Sequence, residues 1–487
     1  MTLDQVSKIL TALEAVDYIH WKSTQHLLAG LSGDTDLDLL IEREQANEMR
    51  ACLLKEGCKP ILSSPEKQYP AMEDYLGFDE KAGRFLHFHL HYQLILGQQY
   101  SKNHRLPFEY EIISSRQLHS ELGVFVPMPE WELIILICRL LLKLTVFSFG
   151  RGFIRKDLFP DNIHRELDYL LERIDTPKLE EILGSQDTVP SDVIYGFLEL
   201  YRSGQMRLLH LFTFRNRLTH SLRGHQRHSA WWSRYRYFMG ISKRIFYRFV
   251  SPGNSPKKCL ANGGLSIALV GADGAGKSSL VSALRKWLGW KLSVRVFYMG
   301  SKKPSLLTNL TWGPAFISRQ LSRRILVPIF GKQTMLGRLF NHFNEFWQGL
   351  FAVATALDRY ARFQRGVRAA NNGDIVLYDR FPLEAIKTVM DGPKLQEHPG
   401  RLLGWLARLE MRLYDGIRKP DHVFVLHVSP HVSQQRKPDH DHNVVVDKIT
   451  AVASLKQSED ERLLHIDADE PFDTVLLKSK QLLWKLM

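Results

Sequence analysis

Leu265 to Leu280, LSIALVGADGAGKSSL, is the stretch whose reading decides the rest of the chain. An apolar run from Leu265 to Val270 stops at Gly271, and the pattern G-x-x-x-x-G-K-[ST] follows as Gly271, Gly276, Lys277 and Ser278. This is the pattern of a buried parallel strand that opens into a phosphate-binding loop and then a helix. Gly271, Gly274 and Gly276 let consecutive N–H groups converge on phosphate oxygens, where a Cβ would obstruct them. The helix starting near Lys277 adds its positive end, Lys277 reaches the outer phosphates, and Ser278 is placed to hold Mg²⁺. The loop as a whole, Gly271, Asp273, Gly274, Ala275, Gly276, Lys277, Ser278 and Ser279, reads as a triphosphate cradle.

A chain of 487 residues suggests two or three domains. Its 44% apolar and 24% charged composition is that of a protein with sizeable cores. Cys52, Cys58, Cys138 and Cys259 form no C-x-x-C pair and no secreted-type framework, so a reducing compartment, the cytoplasm, and free thiols are expected. The N-terminus is an amphipathic pattern carrying acids, unlike a signal peptide. Trp131 to Phe149 is apolar but interrupted by Arg139 and Lys143, which favours a core helix over a membrane span. The net charge of +13 is concentrated in the middle, because no acidic residue lies between Glu199 and Asp273.

Residues 1 to about 100 read as an α/β unit with a helix over Leu3 to Val16, a strand over Asp17 to Trp21 and a helix over Thr24 to Leu31. In the next strand, Asp36 to Ile41, Asp36 and Asp38 alternate with leucines and share one face. Two such carboxylates can hold a divalent metal. A helix over Glu42 to Gly57 and strands over Asp74 to Phe78 and Arg84 to Leu96 follow, then amphipathic helices as far as Tyr201.

The segment Lys22-Ser23, twelve residues, then Asp36-Leu37-Asp38-Leu39 resembles the polymerase β-like nucleotidyltransferases, and in particular their poorly characterised members with a Trp-Lys turn. That resemblance implies an N-terminal α+β nucleotidyltransferase-like domain with a helical tail, spanning residues 1–202. The family's third carboxylate, often acidic-apolar-His, corresponds here to His89-Leu90-His91, so an imidazole stands in its place. Asp36, Asp38 and His89 together would suit Mn²⁺ or Zn²⁺.

Residues 203–262 read as a basic aromatic connector, in which Trp231, Trp232, Tyr235, Tyr237, Phe238, Phe246, Tyr247 and Phe249 alternate with arginines and lysines. Such a segment fits a helix packed on one domain, an anionic membrane surface contacted through residues 203–258, or single-stranded nucleic acid.

The last part, residues 263–487, reads as a parallel α/β unit with strands over Leu265–Val270, Val294–Tyr298, Ile375–Tyr378, His422–Val428 and Leu463–Ile466. Its loop, the run Ile375 to Phe381 ending in Tyr378-Asp379-Arg380, and Lys419 to Leu426 followed by Ser429-Pro430 and Arg436 together resemble the thymidylate kinases. The resemblance implies a parallel-sheet P-loop kinase domain using ATP and Mg²⁺. In it Asp273 would touch the acceptor sugar, Asp379 would help organise Mg²⁺ through water, Arg380 would bind the acceptor phosphate, and Arg436 with Lys437 would close over the transferring group. Phe381 in place of Tyr, Met299 to Lys303 in place of a glutamate-proline-glycine loop, and a single Arg in the lid Arg436 to Asp441 point to an acceptor other than thymidylate. Arg359, Arg362, Arg365 and Arg368 on the preceding helix are further candidates for acceptor contacts or an exposed basic face.

The expected function is transfer of the γ-phosphoryl of ATP to a nucleotide-like or other phosphorylated small acceptor. The rival expectations are a membrane-associated ATP-binding switch and nucleotidyl transfer by the first domain.

Overall fold

A computed structural model describes residues 3–145, 158–250, 257–300, 305–322, 324, 334–386, 390–395, 401–438 and 442–487. The chain divides into two compact units, Met1–Ala261 and Asn262–Met487.

In the first unit the strands are β1 Tyr18–His20, β2 Asp36–Ile41, β3 Lys59–Leu62, β4 Met72–Asp79, β5 Arg84–His91, β6 Leu94–Leu96, β7 His104–Leu106, β8 Gln117–His119, β9 Val124–Val126 and β10 Cys259–Leu260. Its helices are α1 Asp4–Ala12, α2 Leu27–Leu31, α3 Ala46–Lys55, α4 Glu109–Ser114, α5 Pro129–Lys143, α6 Asp161–Leu171, α7 Thr176–Ser185, α8 Ser191–Arg202, α9 Leu208–Ser221 and α10 Ala230–Val250. The main sheet runs β1-β2-β5-β4-β3-β10. Among the described residues of this sheet only β2 and β5 pair in parallel, which sets Asp36 beside His87 and Asp38 beside His89. Leu37 and Leu39 of β2 and Phe88 and Leu90 of β5 face a core closed by Val6 and Ile9 of α1, Leu27, Met49 and Leu53. The alternating polar residues are thereby left together on the opposite face.

A second core is helical. Ile134, Ile137 and Leu141 of α5 pack with Leu167, Leu179, Val193 and Phe197, and also with Leu211, Phe214 and Leu218 of α9. The segment read as a connector belongs to the first unit as far as Ala261. Its first helix completes the helical core, and its end, β10, pairs with β3 as the edge of the main sheet. Pro252, Gly253 and Pro256 lie outside the described residues.

Other elements depart from expectation for local reasons. The first helix stops at Ala12, and the stretch read as one strand from Arg84 to Leu96 breaks after His91 into β5 and β6. Strand β3, which carries Pro60, had no alternation strong enough to betray it.

The second unit contains β11 Leu265–Gly271, β12 Val294–Tyr298, β13 Ile375–Asp379, β14 His422–His427 and β15 Leu463–Asp467. Its helices are α11 Lys277–Leu288, α12 Leu306–Leu321, α13 Met335–Asn371, α14 Arg401–Asp415, α15 Pro430–Arg436, α16 His442–Ser454 and α17 Phe472–Leu486. The five strands form one sheet in the order β12-β13-β11-β14-β15, parallel throughout. Near-continuous apolar strands such as Ile375–Tyr378 are what a parallel sheet covered on both faces requires. No described helix is long and apolar enough to cross a membrane.

Candidate functional site

β11 is flanked by β13 and β14 in the middle of the sheet, and the phosphate-loop sequence leaves its carboxyl end. In open parallel sheets the ends of central strands form the ligand crevice. Gly274 and Gly276 have φ of 83° and 82°, in the left-handed region that glycine enters without cost. At Gly274 a Cβ would also sit 2.9 Å from the carbonyl and hydroxyl oxygens of Ser433. Gly276 caps α11, so the loop's backbone turns directly into a helix N-terminus.

Lys277 is buried within the loop. It is only 6% exposed, and its ammonium donates to the carbonyls of Gly271 and Ala272, both at 2.7 Å. Burial, followed by the nearby Arg380 charge, pushes its pKa down to about 8. The ammonium thus caps the loop's own carbonyls.

The Ser278 hydroxyl donates to Asp379 Oδ2 at 2.9 Å. Asp379 ends β13, one strand over, and is 5% exposed. Its other oxygen, Oδ1, is buried without a hydrogen-bond partner among the described residues. A buried carboxylate oxygen left unsatisfied beside a hydroxyl is a donor set that fits Mg²⁺. Ala275 is buried in the loop and Ser279 is exposed on the first turn of α11.

Arg380 follows with φ of 62°, an uncommon backbone state for a residue with a Cβ. Its guanidinium donates to Asp273 Oδ1 at 3.2 Å, and Lys448 of α16 donates to Asp273 Oδ2 at 2.6 Å. Burial would raise the Asp273 carboxyl, but Lys448, Lys277 and Arg380 outweigh it and hold the pKa at about 2. Ser433 donates to the Asp273 carbonyl at 2.6 Å. Arg436 donates to the carbonyls of Gly274 at 3.4 Å and Ala468 at 2.9 Å. Arg436 thereby ties the loop at Gly274 to the chain at Ala468. Asp439 to Asp441 of the lid lie outside the described residues, as do Ser301 to Lys303.

The basic residues of α13 are structural where they are deepest. Arg359, almost fully buried, donates to the carbonyls of Met299 at 2.7 Å and Asp391 at 2.5 Å. Arg362 donates to the Tyr298 carbonyl at 2.8 Å. Lys448 was missed by sequence reading, since one lysine on an amphipathic helix carries no motif. A cavity of about 400 Å³ adjoins the loop, bounded by Ala272, Val428, Ser429, Val452, Lys456 and Asp469.

The first unit holds a second polar cluster. His87 spans Asp36 Oδ1, 2.8 Å from Nδ1, and Asp74 Oδ1, 3.0 Å from Nε2. His89 Nδ1 lies 2.7 Å from the same Asp74 oxygen. Lys22 donates to Asp38 Oδ2 at 2.7 Å, and His91 Nε2 stands 3.7 Å from Asp38 Oδ1. Burial lowers His91 to about 3 and His20 to about 4. Asp38 and Asp74 are held low against burial, Asp38 by His91 and Lys22 and Asp74 by His87, His89 and Lys258. Of the expected metal trio, Asp38 and His89 come together, whereas Asp36 is taken up by His87. Asp74 of the adjacent strand β4 pairs opposite His89 in register and adds a third carboxylate to the cluster. A cleft of about 610 Å³ reaches this cluster and is lined by Lys67, Tyr69, Asp74, His89, Lys102 and Lys258.

No known family profile matches the sequence. The chain is 28% identical over 220 residues to the uncharacterized ATP-binding protein YghR of Escherichia coli strain K12, covering 44% of this chain and 85% of that protein. It is 25% identical over 222 residues to the uncharacterized ATP-binding protein YghS of the same strain, covering 44% of this chain and 90% of the relative. The solved structure of deoxyadenosine kinase from M. mycoides with bound dATP overlaps 45% of this chain and 98% of its own, at 14% identity and a TM-score of 0.28, too weak an overlap to bear on the fold.

Proposed function

We propose that the second unit binds ATP with Mg²⁺ and transfers the γ-phosphoryl group to a nucleotide-like or other phosphorylated small acceptor, in the manner of a thymidylate kinase-like enzyme. The observation that carries this reading is the Ser278–Asp379 pair with its unsatisfied buried Oδ1, set beside Lys277 and Arg380 at the ends of neighbouring strands. The names of the two bacterial relatives, both ATP-binding proteins, agree with it.

Ser278 and Asp379 would hold the ion, which supplies positive charge to the phosphate oxygens. Lys277 would leave the Gly271 and Ala272 carbonyls for the outer phosphates, while the loop N–H groups and the start of α11 bind the inner ones. An anionic oxygen of the acceptor phosphate attacks the γ-phosphorus, the bond to the β,γ-bridging oxygen breaks, and ADP leaves. The acceptor oxygen needs no deprotonation, so alignment and charge stabilisation suffice. Arg380, preset by its backbone and by Asp273, would receive the acceptor phosphate with the planar fork that Lys lacks. The cavity beside Ala272 would take the base.

Incubation with labelled ATP, Mg²⁺ and a panel of nucleoside monophosphates and sugar phosphates tests this, with Lys277→Ala as the blank. The expected outcome is one phosphorylated acceptor per ADP. Slow hydrolysis indifferent to every acceptor would instead indicate an ATP-dependent switch. Arg380→Ala should impair acceptor use more than ATP binding. For residues 1–261, the parallel pairing of β2 with β5 beneath Asp36 and Asp38 keeps the nucleotidyltransferase-like reading in place as a second proposal. Nothing in the comparisons favours an anionic membrane contact through residues 203–258.

A further inference from the structure

We propose that Asp38, His89 and His91 bind a zinc-type divalent transition-metal ion in the first unit. One ligand atom from each of the three lies within 4.8 Å of the others. The three side chains are prepared for the role in different ways. His91 is 2% exposed, and among the described residues neither of its ring nitrogens has a hydrogen-bond partner. The 3.7 Å to Asp38 Oδ1 is too long for one. Two buried imidazole nitrogens without a partner among the described residues call for one from outside them.

His89 is oriented from behind. Its Nδ1 meets Asp74 at 2.7 Å, and since an ionised carboxylate can only accept, Nδ1 is the donor there and Nε2 is the nitrogen left to face a metal. A carboxylate behind a histidine that fixes the tautomer and ring orientation is the usual outer partner of a metal-binding imidazole. Asp38 is similarly anchored by one oxygen, Oδ2, which accepts from Lys22 at 2.7 Å. Its Oδ1 is the oxygen that faces His91.

Two imidazoles and one carboxylate suit Zn²⁺ better than Mg²⁺, which prefers all-oxygen surroundings. Three protein ligands leave a fourth tetrahedral position open. His89 also lines the cleft of about 610 Å³, so the open side is within reach of a small ligand. A second possible grouping, Asp74 with His87 and His89, is a poorer site, because Asp74 already accepts from both histidines and pairs with Lys258. The proposal does not rest on the phosphate-loop reading of the second unit.

The test uses the full chain stripped with a chelator, with Zn²⁺ titrated in competition with a chromophoric chelator and Co²⁺ as a spectroscopic substitute. One equivalent of Zn²⁺ is expected, with a tetrahedral visible spectrum for Co²⁺. His89→Gln and Asp38→Asn should each weaken Zn²⁺ at least 100-fold and abolish that spectrum. Asp74→Asn, which leaves all three ligands, should weaken it about 10- to 100-fold. His26→Gln, an exposed histidine of the same unit, should change nothing. A cooperative melt and a far-ultraviolet circular dichroism spectrum like those of the wild type in each variant show that the fold survives. Absence of Zn²⁺ binding in the wild-type chain, or equal binding in His89→Gln and the wild type, would overturn the assignment.

Discussion

Lys277 makes its site sensitive to pH in a way that its position alone would not announce. Its pKa falls from 10.5 to about 8 because the folded loop removes water from the ammonium. Between about pH 8 and 10.5 the unfolded chain holds a proton that the folded loop has released. The stability contribution of this group therefore rises with pH across that window, and below it the buried charge is a cost. Phosphate binding needs the protonated form, so the dependence for ligand is opposite in sign. Affinity for ATP should fall as pH rises through about 8, measured by calorimetric titration from pH 6.5 to 9.5. Lys277→Ala should bind weakly at every pH, without the inflection, and lose roughly 3 to 4 kcal/mol of transition-state stabilisation in any transfer assay. An inflection that persists in the variant would assign the titration to another group.

At the scale of elements, α10 shows why a run of basic and aromatic residues is hard to interpret from composition. Its small residues face the rest of the first unit. A Cβ on Gly240 would overlap the Tyr100 ring, the Ser233 and Ser101 hydroxyls are hydrogen-bonded, and Lys243 pairs with Glu66 at 2.7 Å. Several of its aromatics point outward, with Trp231 71% and Phe249 80% exposed. The helix thus docks through Ser233, Gly240 and Lys243. Gly240→Leu should overpack this contact, cost about 1 to 3 kcal/mol, and expose α10 to chymotrypsin. A melting midpoint and cleavage rate equal to those of the wild type would show that the helix does not depend on this contact.

For the whole molecule, the division after Ala261 predicts which fragments survive. Residues 1–261 and 262–487 should each fold when expressed alone, and ATP binding should follow the second. A fragment ending at residue 202 should aggregate. It lacks Leu211, Phe214, Leu218 and Leu222, all buried in the helical core, and each such side chain contributes about 1.5 to 3 kcal/mol. Their combined loss is comparable to the total of about 5 to 15 kcal/mol that holds a domain folded. Circular dichroism and gel filtration of the three fragments decide the matter, and a monomeric, cooperatively melting 1–202 would place the boundary earlier.

Residue order alone determined the features that depend on neighbours in sequence. The apolar run before Gly271, the glycine spacing and Lys277-Ser278 suffice to place a strand, a phosphate-binding turn and a helix, because each follows from backbone freedom and side-chain periodicity over a few residues. In the same way, alternation placed Asp36 and Asp38 on one face, and His87, His89 and His91 on another strand of the same period. What only the tertiary structure decided is who meets these groups across the sheet. Asp74 faces His89 because β4 pairs with β5 in one particular register, and Lys258 reaches Asp74 from a segment far away in sequence. Lys448 arrives at Asp273 from a helix 175 positions downstream. Lys277 became a buried lysine because the fold closed over its loop. Such contacts arise from packing of the whole core and leave no local trace in residue order, since any amphipathic helix or strand could have carried the same charge.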